Sequence, residues 1–265
     1  MKIEKVVLRQ IRMPLVHFFE TSFGRTLARD MILVEVISDG VAGWGEVTAG
    51  ENPFYNEEWT ESAWLILRDY AIPRIIGKEL TAQEVALLTE HIRGHRMARG
   101  GLETAIWDLE ARLYNRPLWK QIGGGARREI PCGVSIGIQE SVPQLLEKIG
   151  RELAAGYQRI KMKIKPGWDV DVIRQVRESF PSVKLMADAN SAYTLKDAEH
   201  LRRLDDFYLM MIEQPLAHDD IIDHAVLQAK LQTPICLDEC IRSAHHAEQA
   251  IRLRAGASST SSWGG

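Results

Sequence analysis

Cysteine is scarce in this sequence: Cys132, Cys236 and Cys240 are the three present, and no two of them form a CxxC pair. An odd set without such a pair argues against a disulfide-stapled domain and fits a reducing compartment. Charge of one sign is not in excess either. The formal net charge is −3 and there is no basic run, which argues against nucleic acid or an anionic membrane as the main partner. No apolar stretch approaches the ~18 residues that a membrane span needs. The opening MKIEKVVLRQIR lacks the unbroken apolar core of a signal peptide. A soluble, cytoplasmic protein is therefore expected. Gly123-Gly124-Gly125 is no phosphate loop by pattern: it follows a helical segment rather than a strand, with no Lys-Ser/Thr after it, and reads as a connection between domains.

What is present is a repeat. Four apolar runs each deliver an ionisable residue near their C-terminal end: RIKMKIK carries Lys163, VKLMADAN carries Asp188, YLMMIEQP carries Glu213 and PICLDEC carries Asp238. Each of the last three stands 25 residues after the one before it, with a helix-like polar segment in every gap. Such a period is what successive βα units of a parallel barrel or doubly wound sheet produce. Strand ends converge on one face in those folds, and ligands bind there. One cation and three carboxylates should therefore meet at one mouth. Carboxylates crowded together repel unless a cation sits among them, and oxygen ligands suit a hard divalent ion, Mg²⁺ first with Mn²⁺ as an alternative.

The rest of the chain frames that repeat. MKIEKVVLRQIRMPL, DMILVEVIS and VAGWGEV read as an antiparallel meander, with Asp39-Gly40 at a hairpin turn. Helical patterns follow at Glu57 to Ile76, Thr81 to Ile92 and Gly101 to Tyr114. Residues 1–125 are thus expected to form an α+β domain. IPCGVSIG then opens an α/β part over 126–254, with helices expected at Ser141 to Ala155, Asp169 to Phe180, Leu195 to Leu204, Asp219 to Lys230 and Ser243 to Arg254. After Arg254 the chain runs AGASSTSSWGG, low-complexity material that reads as linker. That leaves five expected strands where a closed barrel needs about eight. The choice is an open sheet or an incomplete barrel.

Lys161 and Lys163 share one face of a strand. Two adjacent ammonium groups, partly buried, should lower the pKa of at least one toward the range of a general base. Asp188, Glu213 and Asp238 offer a metal three ligands and leave positions open for substrate or water. Helix capping is the competing role for Asp188 and Asp238. It fits Glu213 poorly because Pro215 follows so closely. His245-His246 fall on an expected helix and read as solvent-facing.

KMKIKPG, DANSAY, IEQP and LDE, in this order and spacing, resemble the muconate-lactonising branch of the enolase superfamily. HFFETSFGRT, GWGE and VSIG are most similar to its o-succinylbenzoate synthases and N-acylamino acid racemases. The resemblance implies an α+β capping domain followed by a modified (β/α) TIM-type barrel, here of about five βα units, and Mg²⁺ on Asp188, Glu213 and Asp238. It implies Lys163 as the acid/base that takes the proton α to a substrate carboxylate, as a lysine base does in enolase-superfamily sites. Lys161 would hold that carboxylate. Ser135 and Asn190 would line the pocket, Phe19 and Tyr55 would close over it, and Glu239 would orient the ligands. The partner is a small-molecule carboxylate, and a homo-oligomer is compatible. The implied reaction is dehydration of a cyclohexadiene carboxylate to o-succinylbenzoate, as in menaquinone synthesis, with N-acylamino acid racemisation as the alternative. In such relatives a sixth strand carries a second lysine. Here Trp263 falls near that position, so the chain reads as C-terminally truncated. A non-catalytic fragment is accordingly the rival reading.

Overall fold

The structure, a computed structural model, describes residues 1–125, 127 and 129–256. It resolves into two compact units. Met1–Val16 and Leu27–Glu129 make one, and His17–Thr26 joins the chain from Ile130 onward in the other.

β1 (Lys5–Thr21), β2 (Gly24–Ser38) and β3 (Val41–Val47) form an antiparallel sheet in that order, all in the first unit except the tip of the β1–β2 hairpin. Alternation along β2 puts Ile32, Val34 and Val36 in the core. Helices α1 (Thr60–Ile66), α2 (Ala82–Leu88), α3 (Arg96–Leu113) and α4 (Leu118–Gln121) follow. Helix α3 buries Ala98, Leu102, Ala105, Ile106 and Leu109 in the same core. The GWG of β3 has a steric cause: a Cβ on Gly43 would lie 2.3 Å from the Ala105 carbonyl oxygen, and one on Gly45 2.0 Å from that of Gly101. Strand and helix touch backbone to backbone. Three boundaries differ from expectation, the first being α2, which ends at Leu88 rather than Ile92. Helix α3 starts at Arg96 rather than Gly101: Gly100-Gly101 weakens the helical pattern, and Gly101 makes the close approach, a Cβ there lying 2.9 Å from the Glu46 carbonyl oxygen. The segment expected as one helix to Ile76 passes after Ile66 through a π turn (Leu67–Ala71) and a 3₁₀ turn (Ile72–Arg74) that contains Pro73.

The second unit alternates strand and helix: β4 (Gly133–Ile136), α5 (Val142–Ala154), β5 (Arg159–Lys163), α6 (Val170–Ser179), β6 (Lys184–Asp188), α7 (Ala198–Arg202), β7 (Ile212–Glu213), α8 (Ile222–Gln228), β8 (Ile235–Cys236) and α9 (Ala244–Leu253). The five strands are parallel and in sequence order, the arrangement of a partial (β/α) barrel. Ile136, Ile160, Met162, Leu185, Ala187, Ile212 and Ile235 share one buried cluster with Leu145, Ile149, Ile173, Val176, Leu201 and Leu227 of the helices. Burying each large apolar side chain contributes roughly 1.5–3 kcal/mol, which fixes the face each strand turns to the helices. Ser135, Lys161, Lys163, Asp188 and Glu213 occupy the alternate positions and so take the other face.

Register sharpens the reading of the 25-residue spacing. Lys163 pairs with Asp188, Asp188 with Glu213, but Glu213 with Cys236. Asp238 therefore stands two residues beyond the row, past the end of β8. The tail also begins later than composition indicates. Ala255 is fully buried, and a Cβ on Gly256 would lie 2.6 Å from the Ile235 carbonyl oxygen. Trp263 lies outside the described residues. No described helix is long and apolar enough to cross a membrane.

Candidate active site

The functional side chains gather at the C-terminal ends of β5 to β8. Lys163 closes β5 and is almost fully buried; its Nζ lies 2.6 Å from Asp188 Oδ2 and 2.6 Å from Asn190 Oδ1. Lys161, two residues earlier on the same face, donates to Glu213 Oε1 and Oε2 at 2.8 and 3.0 Å, and lies 3.1 Å from Asp188 Oδ2. Asp188 is thus shared by both ammonium groups. Asn190 is the link outward: its Nδ2 donates to Glu239 Oε1 at 3.0 Å and its N–H to Asp188 Oδ1 at 3.2 Å.

The tip of the β1–β2 hairpin belongs to this unit and supplies Phe19, whose ring centroid is 6.0 Å from Lys163 Nζ. An aromatic face at that distance favours the ammonium charge. Ser22 Oγ donates to the Asn190 carbonyl at 3.0 Å, and Lys165 Nζ to Glu20 Oε1 at 3.0 Å. Glu20 also accepts from Arg25 Nε at 2.8 Å. Lys165 and Glu20 escape a sequence reading because their partnership spans 145 residues with no pattern to signal it. Ser135 is exposed and level with Lys161 in the β4–β5 register. Tyr55 is exposed and lies in the first unit, between β3 and α1.

Charge balance follows from burial. Burial first, then the Asp188 charge, pushes the Glu213 carboxyl up to about 7; the Lys161 ammonium opposes this and Asp238 adds to it. Burial also opposes ionisation of Asp188, but Lys163 and then Lys161 outweigh it and hold that carboxyl low. Burial likewise raises Glu239. The expected depression of a lysine is not found at Lys161. Burial pulls its pKa down, yet Glu213 and Asp188 outweigh that and leave it raised. Neighbouring carboxylates, absent from a strand-only argument, decide the sign.

Helix capping is not what the two aspartates do. The segment after β6 starts its helical turns at Thr194, and α9 is capped by Ser243, which accepts from the His246 N–H at 3.2 Å. His245 is exposed as expected, but His246 is half-buried, with Nδ1 3.1 Å from the Cys240 carbonyl. His91 lies in a turn and His95, four residues on, is the N-cap of α3, so the two do not share a helix face.

Among the described residues no three His, Cys, Asp or Glu side chains are drawn together tightly enough to hold a metal ion. Asp188 and Glu213 close on the two lysines instead. The donor set nonetheless suits a hard cation in its chemistry. It is all carboxylate, Glu213 is raised by burial and by a like charge, and Glu239 Oε2 is buried without a hydrogen-bond partner.

Comparison with known proteins agrees with this geometry. Residues 3–123 match the N-terminal domain of the mandelate racemase/muconate lactonizing enzymes, and residues 144–258 match the enolase C-terminal domain-like family. An o-succinylbenzoate synthase of Geobacillus stearothermophilus is 53% identical over 95% of this chain and 67% of its own length. An N-succinylamino acid racemase of an Amycolatopsis species is 47% identical over 96% of this chain and 70% of its own. The chain thus spans roughly two thirds of the length of these relatives. Among solved structures, an enolase-superfamily member from Listeria innocua superposes with a TM-score of 0.90 at 40% identity, covering 97% of this chain and 69% of that one. A dipeptide epimerase of Cytophaga hutchinsonii, complexed with Mg and a dipeptide, shares the fold with a TM-score of 0.88 at 24% identity over 97% of this chain and 70% of that one. The chain belongs to the enolase superfamily, in its mandelate racemase/muconate lactonizing enzyme branch.

Proposed function

We propose that this site removes a proton α to a carboxylate and eliminates water, as an o-succinylbenzoate synthase does. The observation that carries the reading is Lys163: a buried lysine at a strand end, held by Asp188 and Asn190 beside an aromatic ring. The 53% identity to an o-succinylbenzoate synthase supports it.

In this reading Asp188, Glu213 and Asp238 would hold a divalent cation, Mg²⁺ or Mn²⁺. Bound there, the cation supplies positive charge to the substrate carboxylate as negative charge develops on its oxygens. Lys161 pairs with the same carboxylate. Lys163 takes the α-proton and then returns it to the departing hydroxyl, which leaves as water. Phe19 and the buried strand ends keep water from the ammonium. Glu239 and Asn190 hold Lys163 and Asp188 in place. Ser135, level with Lys161 in the β4–β5 register, is assigned to the pocket wall.

The test is turnover of the cyclohexadiene carboxylate by the 265-residue chain with Mg²⁺, followed by absorbance, against Lys163→Ala. Turnover that survives the substitution sinks the reading. Racemisation of N-succinylamino acids is the second reading, supported by the 47% identity to such a racemase. It needs an acid on the opposite face of the substrate, whereas syn dehydration can use Lys163 twice from one face. Dehydration therefore leads.

A further inference from the structure

We propose that Gln214 is the positioning residue that locks the three acid-bearing strand ends to one another. The proposal rests on reading Asp188, Glu213 and Asp238 as cation ligands. Gln214 follows Glu213 directly, is fully buried, and adopts φ 38°, a left-handed conformation that side-chain-bearing residues rarely take. Such a conformation persists where surrounding bonds impose it. Here they do so from three directions.

The backbone of Gln214 ties two neighbours. Its N–H donates to the Cys236 carbonyl at 2.8 Å, and its carbonyl accepts from the Ser191 N–H at 2.8 Å. Ser191 lies three residues beyond Asp188, so the loop after β6 is anchored to the end of β7. The side chain reaches the third acid. Oε1 accepts from the Asp238 N–H at 2.9 Å and the Cys240 N–H at 3.3 Å. Nε2 donates to the Ala217 carbonyl at 3.1 Å and the Leu216 carbonyl at 3.4 Å, and lies 2.9 Å from Cys240 Sγ.

Register explains why such a clamp is needed. Asp188 and Glu213 sit in the β-ladder, which positions them without help. Asp238 stands beyond β8, where no ladder bond holds it. Gln214 supplies the missing constraint by fixing the backbone from which the Asp238 carboxylate extends. The chemistry needs a primary amide. One end must accept from two N–H groups and the other must donate to carbonyls. Methionine at this position would remove the acceptor from both N–H groups and leave the buried Cys240 N–H unsatisfied. Glutamate would keep the acceptor but turn an oxygen toward two carbonyls.

The test uses Gln214→Met and Gln214→Glu in the 265-residue chain, reading Mg²⁺ affinity by calorimetry and amide exchange of Asp238 and Cys240 by NMR. For Gln214→Met we expect Mg²⁺ binding about tenfold weaker, the scale typical of losing a partner behind a ligand, with both amides exchanging faster. Gln214→Glu should restore protection of those amides, a rescue that general destabilisation would not give. Gln214→Met that binds Mg²⁺ as tightly as the parent overturns the proposal. If Gln214→Met does not fold, Gln214→Glu decides: retained protection supports the clamp and lost protection overturns it. If the parent chain binds no Mg²⁺, the cation reading falls, while exchange at Asp238 and Cys240 still decides the clamp by the same two outcomes.

Discussion

Lys163 and Asp188 are partners twice over: opposite residues in the β5–β6 ladder, and an ammonium and a carboxylate 2.6 Å apart. The ladder brings the two Cα atoms side by side on one face, and burial makes each charge depend on the other. Asp188 is 1% exposed and Lys163 7%. An isolated ion at such depth is costly.

Removing one partner should therefore cost more than losing a surface ion pair. For Asp188→Ala we expect a loss of about 3–5 kcal/mol, the range for a buried charge left without its counter-ion. Lys163→Met should fold better, since Asp188 keeps Lys161 at 3.1 Å, yet should lose turnover by about 10²–10⁴-fold, the usual size of a general-base contribution. Urea unfolding and steady-state rates measure both. Equal stability losses in the two variants would contradict this ordering.

Divalent cation should stabilise the chain. A ligand that binds only the folded state, present at about 100 times its Kd, adds about 2.7 kcal/mol. Thermal unfolding with Mg²⁺ and with chelator should therefore differ by several degrees. Asp238→Asn should shrink the difference more than a substitution at exposed Glu248 on α9. A chain indifferent to Mg²⁺ would count against the assignment of the three carboxylates.

Gly45→Ala should damage the first unit. The new methyl would lie 2.0 Å from the Gly101 carbonyl oxygen and 2.8 Å from the Ala105 nitrogen, both backbone atoms that cannot rotate away. Overpacking of this kind typically costs about 1–3 kcal/mol. Gly40→Ala is the control: nothing lies within 4 Å of its Cβ position, leaving only the strain of φ 73°. Circular dichroism melts should rank Gly45→Ala below Gly40→Ala.

Much of the second unit was legible because two periods coincide. Strand alternation put Lys161 and Lys163 on one face, and the 25-residue repeat put Asp188 and Glu213 level with Lys163. The offset of Asp238 was not legible, because residue spacing counts chain length and not where β8 enters the ladder. Gln214 escaped for a related reason. Its role lies in a backbone conformation and in bonds to Ser191, Asp238 and Cys240, none of which leaves a local pattern. In the first unit, the turn of helix α3 before Gly101 was not legible, because glycine has low helix propensity and the packing of Gly101 against β3 leaves no local pattern.

His224 should make the second unit sensitive to mild acid. It is fully buried; its Nε2 accepts from the Leu216 N–H at 3.1 Å, and its Nδ1–H donates to the Asp220 carbonyl. Both ring nitrogens are satisfied by the neutral ring. A second proton on Nε2 would face the Leu216 N–H, donor against donor. Burial accordingly lowers the His224 pKa, only partly offset by the Asp220 carbonyl and charge. The unfolded chain binds a proton near the ordinary histidine value of about 6.5, while the folded chain resists it. Stability from this residue is thus complete above that value and declines as pH falls toward the depressed folded pKa, by at most about 1.4 kcal/mol per pH unit. Guanidinium unfolding of the parent and of His224→Gln at pH 7.5 and 5.5 measures it. The parent should lose more on acidification than the variant, narrowing the gap between them. A gap that widens toward pH 5.5 would mean that the buried ring accepts its second proton readily.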